Sequence, residues 1–323
     1  MGHRFSRRSL LKAAGVSAAG MGIVGRVLGA AGPQVPTAPG GARKRTLRVA
    51  HLTDIHVQPE LHAGEGMERA LQHAMELKPD LLVYGGDQIM DALTANLDRV
   101  KTQADLFMKV HKANVKIPTH YCFGNHDVWG WGARDKFKGE ALFGKRFSMD
   151  LWGYDKPYHS FDSGGWHFVI LDSIQPKEGN GYTGGLDEEQ YQWLSDDLDK
   201  TAKSTPVMVV SHIPIAAICT LIGNNPFKDG AFSVSAGSMH ADAHKLKELF
   251  YKHRNVKLCA SGHIHLGDRV EYLGVTYVCN GAVSGGWWLG SNQEFAPAYA
   301  VIDLFDDGTF DHRLIEYGWT AKP

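Results

Sequence analysis

Five short clusters hold the residues of this 323-residue chain whose types could do chemistry. They are Asp54 and His56 in DIH, Asp87 in GGD, the trio Asn125, His126 and Asp127 in GNHD, His212 in SH, and His263 with His265 in GHIH. Imidazole and carboxylate donors suit Fe, Mn, Zn or Co, whereas copper(I) and iron–sulfur clusters call for the thiolates these clusters lack. Any one cluster alone would be an ordinary turn or a solvated face. Their common position along the chain is what separates them from that.

Each cluster closes an apolar run with strand character: TLRVAHLTD, DLLVYGGD, IPTHYCFGNHD, PVMVVSHIP and VKLCASGHIH. Helical spacing appears between them, in GMERALQHAMELK, LDRVKTQADLFMKVHKA, DEEQYQWLSDDLDKTAK and ADAHKLKELFYKH. Strands alternating with helices predict βαβ units and a largely parallel sheet. The tail segments RVEYLGVTYVCNGA and AYAVIDLFDDGTFDHRLIEYGW read as β-hairpins, with DDG supplying a turn. In open α/β sheets ligands gather outside the carboxyl ends of the strands. Five strands therefore deliver metal-competent side chains to one edge.

DIH, GGD, GNHD, SH and GHIH, in that order from about residue 47 to 266, resemble the metal-binding motifs of the calcineurin-like metallophosphoesterase superfamily. GGLDEEQYQWLSDDL resembles a helix common in the same family. The resemblance implies a four-layer αββα sandwich, an α/β fold with two mixed sheets. It also implies two divalent or trivalent metal ions, from among Fe, Mn and Zn. Asp54, His56, Asp87 and His265 would hold the first; Asp87, Asn125, His212 and His263 would hold the second, with Asp87 shared. Such a pair generates a bridging hydroxide nucleophile and stabilises charge building on phosphoryl oxygens. The same resemblance points His126 at the substrate, to stabilise the transition state or protonate the leaving oxygen, and has Asp127 orient it.

Departures from relatives narrow the expectation. Purple acid phosphatases resemble the pattern but carry Asp-x-Gly first and a tyrosine where Met90 stands, so a coloured tyrosinate–iron site is not expected. Protein Ser/Thr phosphatases carry Asp-Arg-Gly after the second-motif aspartate, which GDQIMDA lacks. What remains resembles the class III cyclic-nucleotide and glycerophosphodiester phosphodiesterases, which commonly place Asp or Asn at the Met90 position; Asp91 is the nearest substitute. The expected activity is hydrolysis of small-molecule phosphodiesters, with a phosphomonoesterase or nucleotidase as the alternative. A non-catalytic scaffold is disfavoured by the intact donor set. Trp129 and Trp131, beside the catalytic trio, and Trp287 and Trp288, on a glycine-rich loop, are candidates for substrate contact, with core packing as the alternative. His240 and His244 are assigned to a helix start, and His159 and His167 to structure. ICTLIGNNPFKDGAFSVSAGS lacks periodicity and is expected to form a lid.

Residues 1–31 stand apart. Paired Arg7 and Arg8, an Ala/Gly-rich stretch interrupted by Arg26, and the small residues Gly29 to Ala31 resemble a twin-arginine signal peptide. The stretch is short of the roughly 20 apolar residues a spanning helix needs. Recognition by the twin-arginine export machinery, a periplasmic or secreted location and no anchor in the mature form are expected. Residues 32–45 read as a flexible linker rich in Pro, Gly and Ala, and 46–323 as the catalytic domain. The whole chain has a formal charge of −1, and removing the five basic residues of 1–31 leaves −6, so a nucleic-acid polymer is not an expected partner. Cys122, Cys259 and Cys279 lie in apolar strand-like runs and Cys219 follows another; buried thiols are expected, with one disulfide as the alternative.

Overall fold

A computed structural model of the protein describes residues 43–223 and 226–322. The expected signal peptide and most of the linker lie outside the described residues. The first half of the chain runs β1 (Arg45–Leu52), α1 (Ala63–Glu76), β2 (Leu81–Tyr84), α2 (Leu97–Asn114) and β3 (Thr119–Tyr121). A 3-10 turn at Asn125–Asp127 follows, then two short helices, α3 (Arg134–Phe137) and α4 (Arg146–Trp152). Next come β4 (His159–Ser163), β5 (Trp166–Ile170), β6 (Ile174–Pro176), β7 (Tyr182–Gly184), α5 (Glu188–Lys200) and β8 (Val207–Val210). An excursion holds α6 (Cys219–Ile222), β9 (Phe227–Lys228) and β10 (Ala231–Phe232), before α7 (Ala243–Lys252) and β11 (Val256–Ser261). The chain closes with β12 (Asp268–Tyr272), β13 (Val275–Cys279), β14 (Ala298–Phe305) and β15 (Phe310–Glu316).

Two mixed sheets carry the fold. The first has the order β15-β14-β1-β2-β3 and the second β12-β13-β11-β8-β5-β4. β1, β2 and β3 are mutually parallel, as are β5, β8, β11 and β13; β14–β15 and β12–β13 are the antiparallel hairpins expected of the tail. The sheets pack face to face through Val49, Val83, Phe168, Ile170, Met208, Val210 and Leu258, all fully buried. Helices cover the outer faces. Met67, Ala70 and Leu71 of α1 and Val100, Ala104 and Phe107 of α2 seal the first sheet. Leu194 and Leu198 of α5 and Leu246 and Phe250 of α7 seal the second. This is the four-layer αββα arrangement.

Local chemistry sets the helix starts. Asn96 caps α2 by accepting the Arg99 N–H at 2.9 Å, and Asp187 caps α5 by accepting that of Gln190 at 2.8 Å. The strand expected over IPTHYCFGNHD pairs only through Thr119–Tyr121, because β3 is an edge strand with a single neighbour and the chain turns away at Gly124. The consequence for the site is directional. β1, β2 and β3 are adjacent in one sheet and β8 and β11 in the other, so all five ligand-bearing loops leave from the carboxyl ends of neighbouring strands.

Candidate metal centre

Asp54, His56, Asp87, Asn125, His212 and His265 are buried, and they converge with His263 on one point. Nε2 of His56 lies 3.0 Å from Nε2 of His265, which is 3.4 Å from Oδ1 of Asp54. Oδ2 of Asp87 lies 3.6 Å from Nε2 of His56 on one side and 3.2 Å from Nε2 of His212 on the other. That nitrogen is in turn 3.2 Å from Oδ1 of Asn125 and 3.2 Å from Nδ1 of His263. Two donor groups result, with the Asp87 carboxylate between them.

The backbone is bent to achieve this. Asp54, His56, Asp87, His263 and His265 have φ of +55°, +48°, +54°, +72° and +58°, the left-handed region that non-glycine residues avoid. Each such residue costs on the order of 1–3 kcal/mol, and that strain persists only where surrounding structure dictates it. Two glycines make the bends possible. A Cβ at Gly86, itself at φ +103°, would run into the His212 ring, and one at Gly124 would run into Asp87. Only glycine lets the second and third loops approach this closely.

Outer hydrogen bonds decide which ring nitrogen faces inward. Nδ1 of His212 donates to the Gly85 carbonyl at 2.9 Å, and Nδ1 of His265 to that of Gly285 at 2.7 Å. His263 is reversed: its Nε2 donates to the Gly237 carbonyl at 2.8 Å, which leaves Nδ1 inward. With both imidazoles neutral, the facing atoms of His212, His263 and Asn125 are all lone-pair acceptors, with Nε2 of His212 3.2 Å from each of the other two. Acceptors repel one another at that distance unless positive charge lies between them, a metal ion or, without one, the proton that Asp87 favours on His212. Separations of 3.0 to 3.6 Å also match the edges of a coordination shell with bonds of about 2.0–2.2 Å. The residues fit the two-metal arrangement.

Charge follows the same logic. Burial pushes Asp54 up, but His265 beside it outweighs burial and holds the carboxyl below its usual range. Burial likewise opposes Asp87, and His212 overcomes it. Burial disfavours charge on His212, yet the Asp87 carboxylate raises it to about 9. His56 and His263 are lowered by burial, His263 to about 4, which keeps each as a neutral imidazole able to ligate. The carboxylates draw positive charge into a dry site.

His126 lies with His56 and Asp87 in a group whose donor atoms are within 4.8 Å of one another. Its ring stands edge-on to His56, with centroids 4.8 Å apart. Its Nδ1 donates to the Met90 carbonyl at 2.6 Å. The expectation that Asp127 orients this ring is corrected here. Asp127 instead accepts the backbone N–H groups of Asp87 at 2.8 Å, Gln88 at 3.0 Å and Gly124 at 2.9 Å, clamping the second motif onto the third. Burial and the nearby Asp87 charge push Asp127 up to about 8, and the Gly124 and Gln88 N–H donors and the nearby His212 work against that shift. The Met90 carbonyl holds the imidazole, while Asp91 turns away to cap Thr94, accepting its N–H at 3.1 Å.

The four tryptophans separate. Trp129, Trp131 and Trp288 are 2%, 7% and 1% exposed, so their expected contact with substrate gives way to core packing; Trp287 is 41% exposed. Trp129 faces inward because its backbone bridges to Gly144 and its indole donates to the Ala95 carbonyl at 3.1 Å. Trp131 packs with Val128, Ile174 and Ile213. Trp288 donates to the His56 carbonyl at 3.0 Å, so it props a ligand loop from behind. Trp287, at φ +52°, lies against His265 with centroids 4.4 Å apart. Tyr182 escaped notice in the sequence. It stands edge-on to His263, with centroids 6.1 Å apart, and forms the opposite wall. Among the described residues its hydroxyl has no hydrogen-bond partner. Only its place in a Gly/Asn-rich loop ahead of the GGLDEEQ helix could have drawn attention to it.

His240 bonds Ser211 and Asp242 ahead of α7, while exposed His244 pairs with Glu248 inside it, clear of the metal-competent groups. The expected lid is a flap. α6 is followed by the largely exposed β9–β10 hairpin, and the Gly237 carbonyl beyond them accepts from Nε2 of His263 at 2.8 Å.

A four-layer αββα fold with a paired His/carboxylate centre defines a metal-dependent hydrolase. The model of the calcineurin-like phosphoesterase family matches residues 47–267, and the chain belongs to that family. A probable cyclic nucleotide phosphodiesterase of Synechococcus sp. is 26% identical over 231 residues, 68% of this chain and 74% of that one. Purple acid phosphatase 23 of Arabidopsis thaliana is 27% identical over 162 residues, 49% of this chain but 30% of its own length. A dimetal phosphatase of Danio rerio shares the fold, with a TM-score of 0.61 at 16% identity over 85% of this chain and 97% of that one.

Proposed function

We propose that the protein hydrolyses small-molecule phosphodiesters, and that the exposed Trp287 face beside the metal centre receives an organic ester arm. Trp287 is the observation that favours a diester. It offers a planar apolar surface 4.4 Å from the His265 ring, a contact that inorganic phosphate does not need and a nucleoside or other aromatic ester can use. The similarity to a probable cyclic nucleotide phosphodiesterase supports the same choice, and that to a purple acid phosphatase supports a monoesterase.

Asp54, His56, Asp87 and His265 would hold one cation, and Asp87, Asn125, His212 and His263 the other. Bound there, the pair would polarise phosphoryl oxygens and make a water nucleophilic near neutral pH. The protein's own part is positioning. Thr53 and the His263 N–H fix the Asp54 carboxylate, and the His126 N–H fixes that of Asp87. With Nδ1 committed to Met90, His126 uses Nε2 to hold a proton against the departing ester oxygen. Hydrolysis of bis(4-nitrophenyl) phosphate beside 4-nitrophenyl phosphate, with Mn added, tests the choice. Higher kcat/KM for the diester is expected; a strong preference for the monoester would reverse it.

We also propose that residues 1–31 direct export through the twin-arginine pathway, on the strength of Arg7, Arg8 and the stretch after them. Replacing both arginines by lysine is expected to retain the protein in the cytoplasm of a twin-arginine-competent bacterium. Unchanged fractionation would contradict this.

A further inference from the structure

The flap and the metal loop meet at two cysteines. Cys219 opens α6 and packs with Ala217, Leu266 and Cys279 in one small buried cluster. Its N–H donates to Oδ2 of Asp268 at 2.7 Å. Asp268 is the residue directly opposite Cys279 in the β12–β13 ladder, and opposed residues present their side chains on one face. The Cys279 side chain thus points toward the start of α6. The Cys219 thiol is the strongest influence on Cys279 and raises it, with burial second. On its other side, Sγ of Cys279 donates to the Gly262 carbonyl at 3.2 Å, immediately before His263. The two remaining cysteines sit elsewhere. Cys122 is between the sheets, donating to the Leu171 carbonyl at 3.2 Å, and Cys259 is on the outer face of the second sheet.

We propose that Cys219 and Cys279 form a disulfide that fastens the flap to the strand behind the GHIH loop. The oxidant is a disulfide compound, either a small molecule or a thiol–disulfide oxidoreductase. One cysteine attacks it as thiolate to give a mixed disulfide, and the other displaces the second sulfur. Two S–H bonds are lost and one S–S bond forms. Two electrons reduce the oxidant to two thiols, which take up the two protons the cysteines give up. Cys279 is fully enclosed in the sheet whereas Cys219 keeps slight exposure at the start of α6, so exchange begins at Cys219. The crosslink closes the chain between residues 219 and 279 and keeps the Gly237 carbonyl near His263.

Trypsin separates all four cysteines: 117–134 holds Cys122, 204–228 holds Cys219, 258–269 holds Cys259 and 270–313 holds Cys279. The full chain, refolded with a mixture of reduced and oxidised glutathione, is alkylated in denaturant and mapped without reduction. A linked 204–228/270–313 species is expected, with Cys122 and Cys259 alkylated. Oxidation is also expected to raise the melting temperature of the wild type and slow proteolysis of residues 226–238, with neither change in Cys219→Ser. Four alkylated cysteines after oxidation, or a link through Cys122 or Cys259, would overturn the proposal.

Discussion

The two halves of the metal centre are built from the same kinds of donor but supported differently. The half formed by Asp54, His56 and His265 rests on the interior. Ser284 donates its hydroxyl to the Asp54 carbonyl at 2.8 Å, Trp288 its indole to that of His56, and residues 53–58, which carry both ligands, are buried throughout. In the half formed by Asn125, His212 and His263, the His212 ring is anchored in the interior, at Gly85, but the His263 ring in the flap, at Gly237. That flap exposes Phe227 and Phe232. One half is therefore as rigid as the core, whereas the other depends on a segment with little burial of its own. Local stability follows burial, so the two sites should differ in how readily they release metal.

Breaking what the halves share should have the largest effect. Asp87→Asn removes the charge from the carboxylate between them, and kcat/KM is expected to fall by at least about 10³-fold with loss of bound metal. Steady-state kinetics beside elemental analysis check this. His126→Ala spares every ligand. A fall in kcat of about 10²-fold or more with two metals retained is expected. A parallel loss of metal would instead make His126 a structural support.

The third test addresses the difference itself. Replacing residues 226–233 by a short Gly-Ser link loosens the Gly237 anchor, and affinity for one of two metals is expected to drop about 10- to 100-fold. Trp288→Ala should do the reverse, with a stability loss of about 3–5 kcal/mol in denaturant and weakening of the other site. Equal weakening of both sites by both changes would erase the distinction.

The smallest effect lies far from the centre. His167 is held between Asp197 at 2.8 Å and Asp162 at 2.7 Å. The Asp197 hydrogen bond raises the imidazole against burial, with Asp162 adding to it. Its folded value therefore lies above the unfolded value of about 6.5. Stability from the clamp is complete below that value and is lost as pH rises through the folded one. His167→Gln should cost roughly 1–2 kcal/mol at pH 5.5 and less at pH 9, read from urea melts.

Much of this was legible in the sequence, for identifiable reasons. Each ligand closes an apolar run, and a parallel α/β sheet can only send such ends to one edge. α1, α2, α5 and α7 showed their period because each buries one stripe. Side-chain direction was not legible. Trp129 stands two residues from Asp127, yet its pairing with Gly144 turns the ring into the core. Asp127 adjoins His126, but hydrogen-bond partners follow tertiary geometry, and its oxygens meet backbone donors from a different strand's loop. Tyr182 is more than eighty residues from His263, with no motif to join them.

The most direct measurement is the metal content of the full-length protein, reconstituted with excess Mn and desalted, counted while activity is followed. Two equivalents per chain are predicted, and removal of the more loosely held one should abolish turnover until it is restored. Full activity with one equivalent or none would contradict a centre built by two donor groups around Asp87.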